Sequence, residues 1–333
     1  MNICVAVIGA GSWGTTVAHL AAHNVPTVVW ARDPQVAAEI NEKHQNSRYL
    51  EGYDLHPDLT ATDDLAEAVT CADVLVMGVP SHGFRTTLEE VKPHLRAWVP
   101  VVSLSKGLEQ GSRLRMTQLI EEVLPGHPYG VLTGPNLAKE ILAGSAAAAV
   151  IAMSDPGISD ELQRVFTSNL FRVYVNDDVV GSELAGALKN VMALAAGMAD
   201  GLGTGDNTRA AVITRGLAEL TRLGVAMGGR AETFAGLAGM GDLVATCISP
   251  QSRNRHVGEQ LGKGRSLEEI IEEMHMVAEG VKTTKVVMEL ARDYDVYMPI
   301  AEQMDLVCNQ GYSPEQAYRG LLKHEVKHEL HRS

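Results

Sequence analysis

CVAVIGAGSWGTTVAHLAA, residues 4–22, decides how this chain folds. Cys4 to Ile8 is an apolar run of strand length, Ser12 to Ala22 carries apolar residues at helical spacing, and Gly9-Ala10-Gly11-Ser12-Trp13-Gly14 joins them. Glycines in such a strand-to-helix turn permit the tight bend, let the backbone approach a pyrophosphate, and let the helix pack closely on the strand. The helix N-terminus adds unsatisfied N–H groups and a positive dipole. The pattern alone is weak, but in this context it predicts a dinucleotide site built on Gly9, Gly11 and Gly14. The alternative is a glycine turn with no ligand.

Outward from this turn the same alternation continues. Apolar strand candidates fall at Ile3 to Ile8, Thr27 to Trp30, Val74 to Val79, Val99 to Leu104, Gly130 to Thr133, Ala146 to Ala152 and Phe171 to Val175. Helical patterns lie between them at Ser12 to Ala22, Asp33 to Lys43, Asp63 to Val69, His82 to Val91 and Ser112 to Leu124, the last stopped by Pro125. Strand and helix in alternation predict an α/β fold with a doubly wound, mostly parallel Rossmann-type sheet, because parallel neighbours need crossovers that cover both faces. After Asn176-Asp177-Asp178 the pattern turns helical, at Val179 to Leu202, Asn207 to Leu223, Ser266 to Met276, Thr283 to Asp293 and Ser313 to Leu330. The expected organisation is a dinucleotide-binding domain over 1–177 and an all-helical C-terminal domain over 178–333.

The 333 residues suit about two domains. A net charge of −13 argues against nucleic acid or an anionic membrane surface as partner, since both need a basic face. With 45% hydrophobic and 21% charged residues the composition is that of a globular protein, and 32 glycines against 5% aromatic residues predict close packing through small side chains. The uncharged stretch from Met1 to Ala31 is broken by glycines, histidines and Pro26, and Ile141 to Ser154 is too short for a membrane helix, so no insertion is expected. No Lys or Arg precedes Arg32, which fits neither a secretory signal nor an Arg-rich transit peptide and points to the cytoplasm. Cys4, Cys71, Cys247 and Cys308 are too far apart for a metal or redox motif and read as reduced, buried thiols.

A dinucleotide fold places an acid near the end of the second strand to hold the NAD ribose, or an Arg to hold the NADP phosphate. Here that position reads Trp30-Ala31-Arg32-Asp33-Pro34. Asp33 before Pro34 is well explained as a helix N-cap, which makes Arg32 the adenosine-end contact and favours NADPH without excluding NADH.

Lys189 sits inside the long helix with Ala185, Gly186, Met192 and Ala193 one turn away, none of them able to form an ion pair. An ammonium among such residues suits proton transfer near neutral pH; the alternative is a lysine snorkelling at the helix surface. Asp242, in Gly239-Met240-Gly241-Asp242-Leu243, either caps the following helix or orients a catalytic lysine. Ser252-Arg253-Asn254-Arg255 gathers groups that match phosphate oxygens. Ser103-Leu104-Ser105-Lys106-Gly107 and Gly134-Pro135-Asn136-Leu137-Ala138 follow strand ends, where open α/β sheets bind ligands, and are either rims of one crevice or ordinary turns. His324-Glu325-Val326-Lys327-His328 fits H-E-x-x-H, but only five residues remain to supply a third ligand and the stretch is charged all round. It reads as a solvated helix, and no metal is expected.

Taken together, GAGSWGT, SLSKGLE, GPNLAKE, ELAGALKNVMALAAG, GLAGMGDLVAT, SRNR and VAEGVKTT, spread in this order over residues 9–284, closely resemble the bacterial-type NAD(P)-dependent glycerol-3-phosphate dehydrogenases. The resemblance implies a Rossmann domain joined to a helical domain, a homodimer, and conversion of dihydroxyacetone phosphate to sn-glycerol 3-phosphate for glycerophospholipid synthesis. It implies Lys189 as proton donor or acceptor with Asp242 at the substrate. Lys106, Gly134, Asn136, Ser252, Arg253 and Asn254 become further substrate contacts. Cofactor contacts become Ser12, Trp13, Arg32, Lys106, Ala138, Arg253, Val277 and Glu279. A related dehydrogenase of a 3-hydroxyacid or another phosphorylated substrate is the alternative.

Overall fold

A computed structural model describes residues 3–274 and 279–323. Its eight strands are β1 (Val5–Ile8), β2 (Thr27–Trp30), β3 (Leu59–Thr62), β4 (Val74–Met77), β5 (Val101–Ser103), β6 (Tyr129–Thr133), β7 (Ala147–Met153) and β8 (Phe171–Asn176). They form one sheet in the order β3-β2-β1-β4-β5-β6-β7-β8. Every neighbouring pair is parallel except β6 and β7. The sheet is doubly covered: Val5 and Val7 of β1 enter one apolar cluster with Val29 and Val76, whereas Ala6 and Ile8 enter the other with Leu75 and Met77. That two-sided burial is why these strands read as continuous apolar runs rather than alternating ones.

The chain order reverses direction across the sheet at β1 and β4, so a crevice opens beyond their carboxyl ends. The glycine loop sits there. Gly9 adopts φ +115°, and a Cβ on it would lie 2.8 Å from the Gly78 carbonyl oxygen at the end of β4. A Cβ on Gly14 would drive into the Gly9 carbonyl. These two glycines are therefore required by the fold itself.

By compactness the chain forms two units. The first runs through Ala187 and includes Gly224–Asp242; the second comprises Leu188–Leu223 and the chain from Leu243 onward. The helix Val179–Gly201 contributes to both. It is long and apolar enough to cross a membrane by length and composition, yet it is almost wholly buried in the structure, as a core helix is. In the second unit it packs closely through glycine on the helix Arg253–Gly262, where a Cβ on Gly197 would meet the Arg255 carbonyl and one on Gly258 the Leu194 carbonyl.

Several elements differ from the sequence reading. β3 was not predicted, because Leu-Thr-Ala-Thr at a sheet edge carries little apolar signal. The predicted helix at Ser112 starts only at Met116, since Gly111 and Arg113 take left-handed conformations at φ +86° and +63° and form a turn first. Helices also occupy Pro156–Phe166 and Pro299–Gln310. The helices predicted at Ser266 and Ser313 appear as Leu267–Glu273 and Pro314–Lys323. Met276, and everything beyond Lys323 including His324, Glu325 and His328, lie outside the described residues. All four cysteines are thiols, but only Cys247 is buried and Cys71 is exposed. The expectation of four buried thiols is corrected accordingly.

Candidate active site

Of the predicted cofactor residues, Gly9, Gly11, Ser12, Trp13, Gly14 and Arg32 lie at the carboxyl ends of β1 and β2. Gly11 is the N-cap of the helix Ser12–Ala22, whose first turn holds no acid and no capping side chain. The space where a Cβ of Gly11 would stand is open to 4 Å, unlike that of Gly9 or Gly14. Backbone that a ligand can approach, ahead of an uncapped helix N-terminus, fits a pyrophosphate. Ser12 donates its hydroxyl to the Tyr49 carbonyl at 3.1 Å. Trp13 stacks obliquely near Phe171, and its indole N–H is buried without a hydrogen-bond partner. An orphaned donor beside an open glycine cradle is a further point of fit to a bound ligand.

At the end of β2 Asp33 takes the capping role that the sequence reading gave it. Asp33 caps the helix Pro34–Lys43, accepting from the Gln35 N–H at 3.0 Å with Pro34 at the first helical position. Its second oxygen pairs with Arg48 at 2.7 Å. Arg32 is exposed. Sequence reasoning missed Arg48; its distance of 15 positions from Asp33 falls outside any short motif.

Parallel pairing puts the ends of β5 and β6 on the same sheet edge, and two predicted loops meet there. Lys106, beyond β5, donates from Nζ to the Gly134 carbonyl at 2.9 Å and to Asp242 Oδ2 at 2.8 Å. Gly134, beyond β6, has φ +131°, and its Cβ would press on the backbone of Ala149 and Ala148. Asp242 opens the helix Asp242–Ile248 directly after the π-turn Leu237–Gly241, and it is 1% exposed. Asp242 is itself helical rather than the cap of the helix that follows, and the lysine it binds is Lys106. The stem of that lysine and Thr133 lie against Gly186, where no side chain has room. Both polar atoms of the Asn136 amide and the Thr133 hydroxyl are buried without partners, so this rim also has groups waiting for a ligand. Ala138 begins the short helix Ala138–Leu142.

In the second unit Lys189 is 6% exposed, which rules out the snorkelling reading, and its Nζ donates to the Thr246 hydroxyl. Thr246 is another residue the sequence did not single out. One position on, Asn190 meets two other predicted segments: a Cβ on Gly280 would lie 2.7 Å from the Asn190 carbonyl and 2.8 Å from Asn254 Oδ1. Asn254 Oδ1 accepts the Gly280 N–H at 2.9 Å, next to Glu279 at the start of the helix Glu279–Asp293. Ser252 caps the helix Arg253–Gly262 by accepting from the Arg255 N–H. The two arginines of the tetrapeptide differ. Arg255 is bound to Asp200 at 2.8 Å and to Glu259 at 3.2 Å, whereas Arg253 is exposed on the first turn. Val277 lies outside the described residues. Among the described residues no group of three or more His, Cys, Asp or Glu is placed to hold a metal ion.

Comparison with known proteins gives the same frame. The models for the N-terminus and C-terminus of NAD-dependent glycerol-3-phosphate dehydrogenase match residues 4–159 and 178–319. Glycerol-3-phosphate dehydrogenase [NAD(P)+] 2 of Sphingopyxis alaskensis is 59% identical over 331 residues, 99% of each chain. The enzyme named glycerol-3-phosphate dehydrogenase [NAD(P)+] 1 of Mycobacterium tuberculosis is also 59% identical, over 99% of this chain and 97% of its own. The crystal structure of the Coxiella burnetii glycerol-3-phosphate dehydrogenase superposes with a TM-score of 0.92 at 36% identity, covering 97% of this chain and 99% of the other. Full-length matches of this kind, on a sheet whose glycine loop and lysine-bearing rims share one edge, decide the family. The chain is a member of the NAD-dependent glycerol-3-phosphate dehydrogenase family.

Proposed function

We propose that this oxidoreductase interconverts dihydroxyacetone phosphate and sn-glycerol 3-phosphate with Lys189 as the proton donor to the substrate oxygen. The observation that carries the reading is Lys189 itself, an ammonium on a highly apolar helix, almost buried, with Nζ directed at a hydroxyl. Burying a cation is costly, so a fold that keeps one there has a use for it. When bound, NAD(P)H supplies the hydride. Lys189 Nζ delivers the proton that the developing alkoxide needs, and Thr246 holds the amine in line by accepting one of its hydrogens. Asp242 fixes Lys106, whose positive charge stabilises the carbonyl oxygen or the phosphate. Arg253 binds the substrate phosphate through its fork of N–H groups. Ser252 and Asn254 hold that arginine's turn in place and keep protons of their own to donate, and Gly134 and Asn136 serve as further substrate contacts.

For the cofactor, Gly9, Gly11 and Gly14 shape the turn, with Ser12, Trp13, Ala138, Val277 and Glu279 as further contacts. Arg32 takes the adenosine end, a choice that favours NADPH over NADH. In this reading residues 1–177 bind the dinucleotide and 178–333 carry catalysis. The working form is a cytoplasmic homodimer that feeds glycerophospholipid synthesis. A net charge of −13 demands local reversal for two phosphorylated ligands, and Lys106, Lys189, Arg253 and Arg32 supply it.

The test follows NADPH and NADH oxidation by absorbance with dihydroxyacetone phosphate. Turnover is expected with at least one nucleotide, faster with NADPH. Lys189→Ala is expected to lower turnover by roughly 100-fold to 10,000-fold, the range for a positioned acid or base. Absence of turnover with both nucleotides, or near-wild-type turnover in Lys189→Ala, defeats the assignment.

A further inference from the structure

Cys4 and Cys71 lie 67 positions apart, yet their sulfurs are in contact at 3.2 Å. Pairing of β1 with β4 causes this. Cys4 leads into β1 and accepts on its carbonyl from the N–H groups of Asp73, at 2.8 Å, and Val74, at 3.2 Å. Its own N–H donates to Asp73 Oδ2 at 2.9 Å, and Arg96 holds the same carboxylate at 2.6 Å. Cys71 is the C-cap of the helix Leu65–Thr70, two residues before Asp73. Both backbones are thus fixed by hydrogen bonds, and the sulfurs need to approach by only about 1.2 Å to reach the bonding distance of a disulfide, roughly 2.05 Å.

We propose that Cys4 and Cys71 form a reversible disulfide, a thiol-oxidation site separate from the active site that accepts a low-molecular-weight disulfide as its oxidant. The two sulfurs have different roles. Cys71 is exposed and its sulfur accepts the Cys4 S–H, so Cys71 is the thiol that a dissolved oxidant reaches. Cys71 attacks first: its thiolate displaces one thiol from the oxidant and becomes a mixed disulfide. Cys4 then loses its proton, attacks Cys71 Sγ and displaces the second thiol. In balance, two protein thiols and one small disulfide give one protein disulfide and two small thiols, so the protein loses two electrons and two protons that the small molecule takes up. Burial of Cys4, then the Cys71 contact and the nearby Asp73 charge, push its thiol up to about 12. The second step is therefore the slow one, and it quickens as pH rises.

The bridge closes a loop that carries β1, β2 and β3, at the end of β1 opposite Gly9. At about 3.3 Å per residue that is about 16 Å from the glycine turn, so nucleotide turnover is expected to stay within about twofold on oxidation.

The test equilibrates the reduced full chain with glutathione disulfide at pH 8, alkylates it, and counts thiols after denaturation. The expected result is loss of two of the four thiols, a Cys4–Cys71 cross-linked peptide in the mass map, and full reversal by dithiothreitol. Cys4→Ser is expected to stop at the first step, with one glutathione retained on Cys71, and Cys71→Ser to form neither bridge nor adduct at Cys4. Turnover of each variant reports that it has folded. Four remaining thiols in the wild-type chain, a bridge that involves Cys247 or Cys308, or identical products from the wild type and Cys4→Ser overturn the proposal.

Discussion

Replacing Gly11 with alanine separates the cofactor role of the glycine turn from its structural role. Gly11 has φ −71° and ψ 175°, extended values that alanine adopts without strain, and no atom stands within 4 Å of the added methyl. Two effects on stability oppose each other: alanine is a poorer N-cap than glycine, while the unfolded chain loses some freedom, and each is worth roughly 0.5–1 kcal/mol. The net change is about 1 kcal/mol or less, a shift of only about 2 °C in Tm for a chain of this size. Binding responds differently, because in the proposed function a pyrophosphate reaches the N–H groups of the first helical turn through the open space above Gly11. A methyl there holds the phosphate off, and each hydrogen bond to a charged group is worth about 1.5–3 kcal/mol. Loss of one such bond weakens nucleotide binding by at least roughly 10-fold, and loss of two by roughly 100-fold or more. Gly14→Ala is the control. Its methyl collides with the Gly9 backbone carbonyl, which cannot rotate away, so the helix must move and the fold is expected to lose about 1–3 kcal/mol or more. Fluorescence titration with NADPH and NADH gives the affinities, and thermal denaturation gives the stabilities. An affinity of Gly11→Ala within twofold of wild type, or a loss of stability as large as that of Gly14→Ala, refutes the reasoning.

Two buried titratable groups give opposite pH dependences. Glu219 accepts the N–H groups of Ile300 and Ala301 at the start of the helix Pro299–Gln310, and burial, opposed by those two bonds, raises its carboxyl from 4.5 to about 7. Between those values the native state keeps a proton that the unfolded chain has released, so stability falls as pH rises from about 4.5 to about 7, by at most about 3 kcal/mol. In Glu219→Gln that fall is expected to be absent, so that the difference between the wild-type and variant urea midpoints changes by its amount across the range; an unchanged pH slope in the variant refutes it. His19 accepts the His56 N–H at 2.9 Å, and burial, then the His23 and His56 rings, lower it from 6.5 to about 4. Here the unfolded chain binds the proton first, so stability is lost as pH falls from about 6.5 toward 4. His19→Gln is expected to blunt that acid loss in the same measurement, and equal acid sensitivity of both proteins counts against it.

How much was legible in the sequence follows from how far apart the interacting residues lie. Asp33 before Pro34 announced its cap because an N-cap bonds two or three residues ahead, and it does so in the structure. The apolar residues one turn from Lys189 left burial and surface snorkelling both open, and the structure decides for burial. The glycine turn was legible because strand, loop and helix are contiguous. By contrast, the Lys106–Asp242 pair spans 136 positions and the Cys4–Cys71 contact 67, and each depends on where strands or helices meet. Thr246 had no signal at all, since a threonine in an apolar helix is ordinary until the lysine facing it is known. β3 failed for another reason: an edge strand buries less apolar surface, so the pattern that reveals central strands is absent from it.

The two arginines of Ser252-Arg253-Asn254-Arg255 show what sequence chemistry leaves open and what geometry then decides. As residue types they are equivalent phosphate ligands. Helical spacing, however, turns successive residues about 100° apart, so adjacent helices and their acids select between them. Arg255 faces Asp200 and Glu259, and its fork is occupied in holding the helix Arg253–Gly262 to the helix Val179–Gly201. Arg253 lies at the N-terminus of its helix, on the exposed side. There an anion meets both the guanidinium and the positive end of the helix dipole. The substitutions Arg253→Ala and Arg255→Ala are therefore not equivalent. The first removes a charge from where a phosphate is proposed to bind; the second leaves Asp200, which is 8% exposed and also bound by Arg209 at 2.7 Å, with one of its two arginines. Within one tetrapeptide, Arg255 thus ties two helices together through Asp200, and Arg253 stands exposed at the helix N-terminus, where the proposed phosphate contact needs it.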